Sequence, residues 1–474
     1  MENNTIFNSP QIWPYDQKDG YKIYQSGSHI KANFIRVFVP DNPYKDKQGK
    51  LKFIAYLHGF ALCMPQFYEA QLEELAKKGY YIFFSDFQKS EYPNYIGEKI
   101  QKANIKKPHL SLWVHRALTI ATNRSSKFNK FQPEDLLTTE EEQTSQEIHT
   151  IRGNLDEPKQ FDYFRTSLAI VAIILIVKLI YTWFNDTYGK NLIHLISTVG
   201  FSLAHKPSEW IKDAIALTEQ SWQHLCKVNP QFAGQEFDFY VFGHSLGGLL
   251  ALSWPIYICG ETQQKFFPQQ IVTADPAPST DMGIPRIAIF ILKLFRSPFA
   301  IAPINISDIG SQLNIPIGIM HGVDDDIVKP QSWVNTSFWQ PKSNFDYIAS
   351  QEKGIYFSLS NKQHQPPLVA FHNQAVTDTS YYDDALFKHF GGVKNGPNDY
   401  NYQYVWLGLS LVLEEGVSAG GLFPYFPQGT VKVRDYLPEK QSNLKSIVTT
   451  ILAVLAVSAL GYWLFSHFGT VFNQ

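Results

Sequence analysis

The stretch FDFYVFGHSLGGLLAL, residues 237–252, constrains the fold more than any other part of the chain. An apolar, aromatic run of strand length ends in Gly243-His244-Ser245-Leu246-Gly247, and an apolar run with helical character follows at once. A chain that passes from strand to helix in so few residues must turn sharply. The flanking glycines let backbone pass backbone with no Cβ in the way, and Gly248 extends that freedom into the helix. The turn leaves Ser245 at the end of a strand and just before a helix N-terminus, whose free N–H groups and positive dipole end suit a developing anion. Ser245 is therefore a candidate nucleophile; the plainer reading is a tight turn with a solvated serine.

Further runs have the apolar, β-branched or aromatic character of strands: 33–39, 52–57, 80–85, 270–274, 315–320 and 354–359, besides 237–242. Helical patterns lie between them at 66–78, 210–226 and 246–256, with another at 380–390. Strands alternating with helices predict an α/β fold with a mostly parallel sheet covered on both faces. The 52–57 run ends in His58-Gly59-Phe60. In a fold of this kind, a second main-chain donor for an oxyanion comes from the loop after an early strand. Phe60 N–H and Leu246 N–H are the expected pair, and His58 reads as a packed structural histidine.

Residues 53–90 (FIAYLHGFALCMPQFYEAQLEELAKKGYYIFFSDFQKS), with VFGHSLGG at 241–248, resemble the α/β-hydrolase superfamily. Within it they are similar to the chlorophyllase-, cutinase- and dienelactone-hydrolase-like serine esterases. The resemblance covers most of 30–122 and 206–412 and implies an α/β-hydrolase fold with a triad in the order Ser, acid, His. For the acid it points first to Asp325, in HGVDDDIVKP after the 315–320 run, with Asp324 and Asp326 as solvated neighbours. The alternative is Asp275, in VTADPAPS after the preceding strand. For the base it points first to His372 and alternatively to His364, both beyond the last strand. The implied activity is hydrolysis of a carboxylic ester through an acyl-enzyme, with no cofactor and no metal. A thioesterase or amidase using the same residues, or a catalytically silent binding scaffold, is the alternative.

The apolar residues are unevenly spread. Residues 446–465 (SIVTTILAVLAVSALGYWLF) carry no charge, and as a helix would reach ~30 Å, the thickness of a bilayer core. Lys440 and Lys445 precede this run and no Lys or Arg follows it, so a C-terminal transmembrane helix would leave the catalytic domain facing the cytoplasm. A second run, 167–184, is interrupted by Lys178 and followed by a weaker segment at 191–204. Strands of one sheet lie on both sides of it, so it is expected to form a membrane-associated hairpin over 167–205 rather than a single crossing. A third, 284–304, mixes large aliphatics with Arg286, Lys293 and Arg296, as an amphipathic cap or a packed helix would. Residues 123–166 are polar and read as a flexible insertion. The expected organisation is thus a discontinuous catalytic domain (1–122 and 206–435), the insertion, the hairpin, and a linker with anchor (436–474). The first residues are polar, unlike a signal peptide. Three cysteines in 474 residues exclude a disulfide scaffold, and a net charge of −2 gives no reason to expect nucleic acid. The expected partners are a small-molecule ester or lipid substrate and membrane lipids.

Overall fold

The computed structural model describes residues 13–89, 198–282, 284, 286–337, 340–378 and 396–438. They build one ten-stranded sheet from β1 (Tyr15–Lys18), β2 (Tyr21–Ser26), β3 (Ile35–Pro40), β4 (Leu51–Leu57), β5 (Tyr81–Ser85), β6 (Phe237–His244), β7 (Gln270–Ala274), β8 (Ile317–Gly322), β9 (Lys353–Leu359) and β10 (Lys432–Arg434). The spatial order is β1-β2-β3-β5-β4-β6-β7-β8-β9-β10. From β5 to β9 neighbouring strands run parallel, while β1–β2, β2–β3, β3–β5 and β9–β10 are antiparallel.

Successive side chains of each central strand enter different cores. In β4, Phe53, Ala55 and Leu57 point to one face and Ile54 and Tyr56 to the other. A strand buried on both sides reads as a continuous apolar run, and these are the strands the sequence announces. Helices α1 (Glu69–Lys77), α2 (Pro207–Val228), α3 (Leu246–Tyr257), α4 (Arg286–Leu294), α5 (Pro298–Ile301) and α6 (Trp406–Glu414) cover the sheet. Residues of α1 and α6 fill the core on one face, and those of α2, α3, α4 and α5 the core on the other. Pro207 opens α2 at its first position, where a missing N–H costs nothing, and Glu209 accepts the Lys206 N–H at 3.2 Å.

Strands β1, β2 and β10 were absent from the sequence expectation. They lie at the two ends of the sheet and carry polar residues on part of their surface (Gln17, Lys22, Gln25, Lys432, Arg434), which hides them from an apolar criterion. Asp19-Gly20, with Gly20 at φ 85°, was the available signal for the β1–β2 hairpin.

No helix among the described residues is long and apolar enough to cross a membrane. The 446–465 run, the 167–184 run, the 123–166 insertion and the expected 380–390 helix all lie outside the described residues. Of the 191–204 segment, residues 198–204 are described. They are helical and held on the domain by Gln88 Nε2 to Ser202 Oγ (3.2 Å) and by Ser297 Oγ to Leu203 O (2.6 Å).

Trp254, at the heart of α3, is fully buried against Phe239, and its Nε1–H donates to Phe266 O at 3.0 Å. Trp254→Ala should lower the unfolding free energy by about 3–5 kcal/mol through cavity and hydrogen-bond loss, with Trp254→Phe costing less. Denaturant unfolding followed by circular dichroism measures both, and a loss under about 1 kcal/mol for the alanine variant would contradict this packing.

Candidate active site

Ser245 follows β6 and caps α3 with φ 55° and ψ −120°, a left-handed conformation that a residue with a Cβ adopts at a cost of about 1–3 kcal/mol. The surrounding backbone holds it there. Ser245 N–H donates to Ala274 O (2.9 Å), and Ser245 O accepts from Gly248 (3.0 Å), Leu249 (3.3 Å) and Ala277 (3.2 Å). A side chain at Gly247 would overlap the carbonyls of Leu57 and His58, and one at Gly243 would overlap Gly247 itself. A Cβ on Gly248 would lie 2.6 Å from Pro276 Cβ. The glycines of the motif thus let the turn sit in backbone contact with the ends of β4 and β7.

The structure brings Ser245, His372 and Asp325 together. Ser245 Oγ lies 2.6 Å from His372 Nε2, and His372 Nδ1 lies 2.7 Å from Asp325 Oδ2. All three are buried. With Nδ1–H donating to the carboxylate, Nε2 is left to accept the serine O–H. Asp325 Oδ1 accepts from the N–H groups of Ile327 (2.8 Å) and Val328 (2.9 Å). Burial pushes the Asp325 pKa upward, but the attraction and hydrogen bond of His372, with the hydrogen bond from the Val328 amide, outweigh it and hold the carboxyl below its ordinary range.

The two alternative residues stand elsewhere. His364 is half-exposed, with Nδ1 2.8 Å from Pro366 O and Nε2 3.2 Å from Asp399 Oδ2. Asp275 ends β7 at φ 48°, fully buried, and accepts the Gly322 N–H at 2.8 Å. His321 lies between the two acids, its Nδ1 3.7 Å from Asp275 Oδ1 and its Nε2 3.6 Å from Asp325 Oδ2. His321 Nε2–H donates to Val328 O at 2.8 Å, which leaves Nδ1 unprotonated. Burial, and then the neighbouring Asp325 charge, raise the Asp275 pKa well above its ordinary value, which favours its protonated form. Among the described residues, Asp275, His321 and Asp325 form the one group with converging metal-ligand types. Asp325 Oδ2 and His321 Nε2 already serve His372 and Val328.

The expectation that Asp324 and Asp326 are solvated holds for Asp326 only. Asp324 is half-buried: its Oδ2 accepts the Ser360 hydroxyl at 2.6 Å and its N–H donates to Ala370 O at 3.1 Å. Ser360 Oγ also accepts the Ala370 N–H at 2.9 Å, so Asp324 ties the acid turn to the loop that carries His372. A neighbouring acid reads as surplus charge unless the folded partner, here Ser360, is in view.

A second tie went unread in the sequence. His244 Nε2 lies 3.1 Å from His372 O, His244 Nδ1 lies 2.9 Å from Tyr68 Oη, and Tyr68 Oη accepts the Gly59 N–H at 2.9 Å. The histidine inside the elbow motif and Tyr68 thereby link the base loop to the His58-Gly59-Phe60 loop. His58 is buried under that loop, 2.8 Å from Gly59 O and stacked on Phe87. Phe60 N–H donates to no acceptor among the described residues, and Leu246 N–H heads α3, where no intrahelical acceptor exists.

No protein-family model matches the chain, and no curated protein matches it. Among solved structures it is similar to one of two metagenome-derived lipolytic enzymes, at 11% identity over 72% of this chain and 91% of that one, with a TM-score of 0.32. It is also similar to acetyl xylan esterase 1 from Thermoanaerobacterium sp. (11% identity, 73% and 79% coverage, TM-score 0.32) and to dienelactone hydrolase from Anabaena variabilis (10%, 72% and 87%, 0.29). These likenesses assign no residue a role in this chain. The eight strands β2 to β9, in the order β2-β3-β5-β4-β6-β7-β8-β9 with the strained serine turn after β6, define the α/β-hydrolase fold.

His244 makes the site sensitive to acid in a measurable way. Burial, chiefly, lowers its pKa from 6.5 to about 3. Between those values the unfolded chain binds a proton that the fold excludes, so the neutral His244 contributes stability that is present above pH 6.5 and lost as pH falls. Asp275 titrates in the opposite sense, so the quantity to read is the difference between wild type and His244→Gln. That difference should shrink by about 2 kcal/mol between pH 7 and pH 5, as measured by urea unfolding. A pH-independent difference would show that His244 is not held neutral.

Proposed function

We propose that the chain is a serine hydrolase that cleaves a carboxylic ester with a hydrophobic part. The observation that carries this is the continuous chain from Ser245 Oγ through His372 to Asp325, with steps of 2.6 and 2.7 Å, built on a strained turn at a helix N-terminus. In this reading His372 Nε2 takes the serine proton as Oγ bonds to the ester carbonyl carbon. The Phe60 and Leu246 N–H groups hold the resulting oxyanion. Collapse of that intermediate breaks the carbon–alkoxy bond, and His372 returns the proton to the leaving alkoxide. Water, deprotonated by the same imidazole, then attacks the acyl carbon, and Ser245 leaves with the proton restored. Asp325, ionised and bonded to Nδ1–H, keeps the ring in the tautomer that both steps need.

The sequence also supports a membrane tether, through the uncharged 446–465 run and the 167–184 run, with the catalytic domain on the cytoplasmic side. A tethered esterase meets apolar esters where they dissolve, in the bilayer, and lipid-like substrates fit that position. Deleting 440–474 should move the protein from the membrane pellet towards the soluble fraction; an unchanged pellet would refute 446–465 as the dominant anchor.

A fluorophosphonate probe should label the detergent-solubilised protein, and Ser245→Ala should abolish labelling. Labelling that survives this substitution would sink the assignment of the nucleophile. On a short p-nitrophenyl ester, Asp325→Asn should lower kcat by about 10⁴-fold, the loss expected when the ring takes the wrong tautomer. Asp275→Asn keeps the acceptor for Gly322 N–H and replaces a neutral acid by a neutral amide, so its loss should stay below about tenfold. The reverse ranking would make Asp275 the working acid.

A further inference from the structure

The excursion between β7 and β8 begins on the candidate nucleophile. Ala277 N–H donates to Ser245 O at 3.2 Å, and two residues later Ser279 pairs with Asn305, 26 residues further on, so the segment from 279 to 305 leaves and returns at one place. Helix α4 buries Ile289 but leaves Phe290 64% and Leu294 59% exposed, Ile291 and Phe295 (just past its end) are exposed as well, and Ile301 of α5 is 54% exposed. Of the 13 large hydrophobic side chains that the described residues expose, five fall within these 12 consecutive positions, so the patch is not the ordinary scatter of a surface. A helix that is apolar beyond its packed side is matched to an apolar surrounding on its free side as well.

Two further features select the occupant. Lys293 and Arg296 are exposed among these residues, and residues 284–304 contain no Asp or Glu. A second copy docked patch to patch would therefore set these cations against each other with no acid of either segment to neutralise them. The other feature is where the chain enters. Residues 198–204 are fastened to the α4–α5 corner by Ser297 Oγ to Leu203 O (2.6 Å), and the apolar 167–184 run precedes them in sequence by little more than a dozen positions. We infer that the α4–α5 patch rests on an anionic lipid bilayer, with Phe290, Ile291, Leu294 and Ile301 among the acyl chains and Lys293 and Arg296 against lipid phosphates. The excursion joins the backbone at Ser245, so this contact would set the candidate active site at the membrane surface. The inference does not depend on the hydrolase chemistry, and its test reads lipid contact rather than turnover.

The full chain carrying Cys226→Ser and Cys259→Ser, with Cys63 left buried, provides the background for a thiol-reactive NBD fluorophore. The fluorophore is placed through Phe290→Cys or, should that variant not fold, Leu294→Cys. Gln351→Cys, exposed just before the start of β9, is the control. In phosphatidylcholine–phosphatidylglycerol vesicles containing doxyl-labelled lipid, the fluorophore at 290 should be quenched about threefold more than at 351 and shifted to the blue. Lys293→Gln with Arg296→Gln should weaken that quenching in these vesicles and leave it unchanged in pure phosphatidylcholine. Equal quenching at 290 and 351 overturns the inference. So does cross-linking between copies through residue 290 without lipid quenching, which would give the patch to a second copy. Fluorophosphonate labelling of Ser245 on the same samples reports the proposed chemistry separately, so failure of one reading is distinguishable from failure of the other.

Discussion

The first turn of α3 lies against the end of β4 with no side chain between them. Gly247 stands where any Cβ would strike the carbonyls of Leu57 and His58, and Gly248 stands close to Pro276. This contact sets the ends of three adjacent strands, β4, β6 and β7, around one serine. Ser245 carries the strain of the turn at φ 55°, a cost of order 1–3 kcal/mol that four backbone hydrogen bonds offset. Because the His58-Gly59-Phe60 loop follows directly from β4, the same contact brings its amides near the head of α3. A larger residue at 247 would separate the helix from the loop before it disturbed the serine itself.

The sheet's centre was legible because strands buried on both faces must be apolar throughout. Phe237–His244 and Gln270–Ala274 leave no polar face for another reading to use. The edges were not, since Tyr21–Ser26 and Lys432–Arg434 pair on the rim of the sheet, where polar residues are tolerated. For the site, the resemblance narrowed each partner of Ser245 to two residues, with Asp325 and His372 placed first. The choice between His364 and His372 is made by contacts distant in sequence. Ala370 is held to Asp324 and Ser360, and His244 meets the carbonyl of His372 from 128 positions away. Tyr68 shares Gly59 and His244 for the same reason: nothing near it in sequence marks its hydroxyl as anything but core.

The two acids show how one buried pocket assigns different work to like groups. Asp275 and Asp325 lie in the turns after adjacent strands of the parallel sheet, β7 and β8, and both approach His321, at 3.7 and 3.6 Å. Two ionised carboxylates with oxygens within 4.8 Å of each other in a buried site would repel strongly, which favours the protonated form of one of them. Asp325 has the donors that stabilise a charge: His372 Nδ1–H and the amides of Ile327 and Val328. Asp275 has two backbone amides, those of Gly322 and Gln374, and faces an imidazole nitrogen that, with Nε2–H given to Val328, bears a lone pair instead of a proton. The asymmetry therefore follows from the count of N–H groups aimed at each carboxyl, a property of the folded turns that two Asp residues in a sequence do not display. In the proposed hydrolysis, a neutral Asp275 leaves Asp325 as the single buried negative charge beside His372, so that a proton taken onto that ring from Ser245 is stabilised by a near partner and by no second, competing acid.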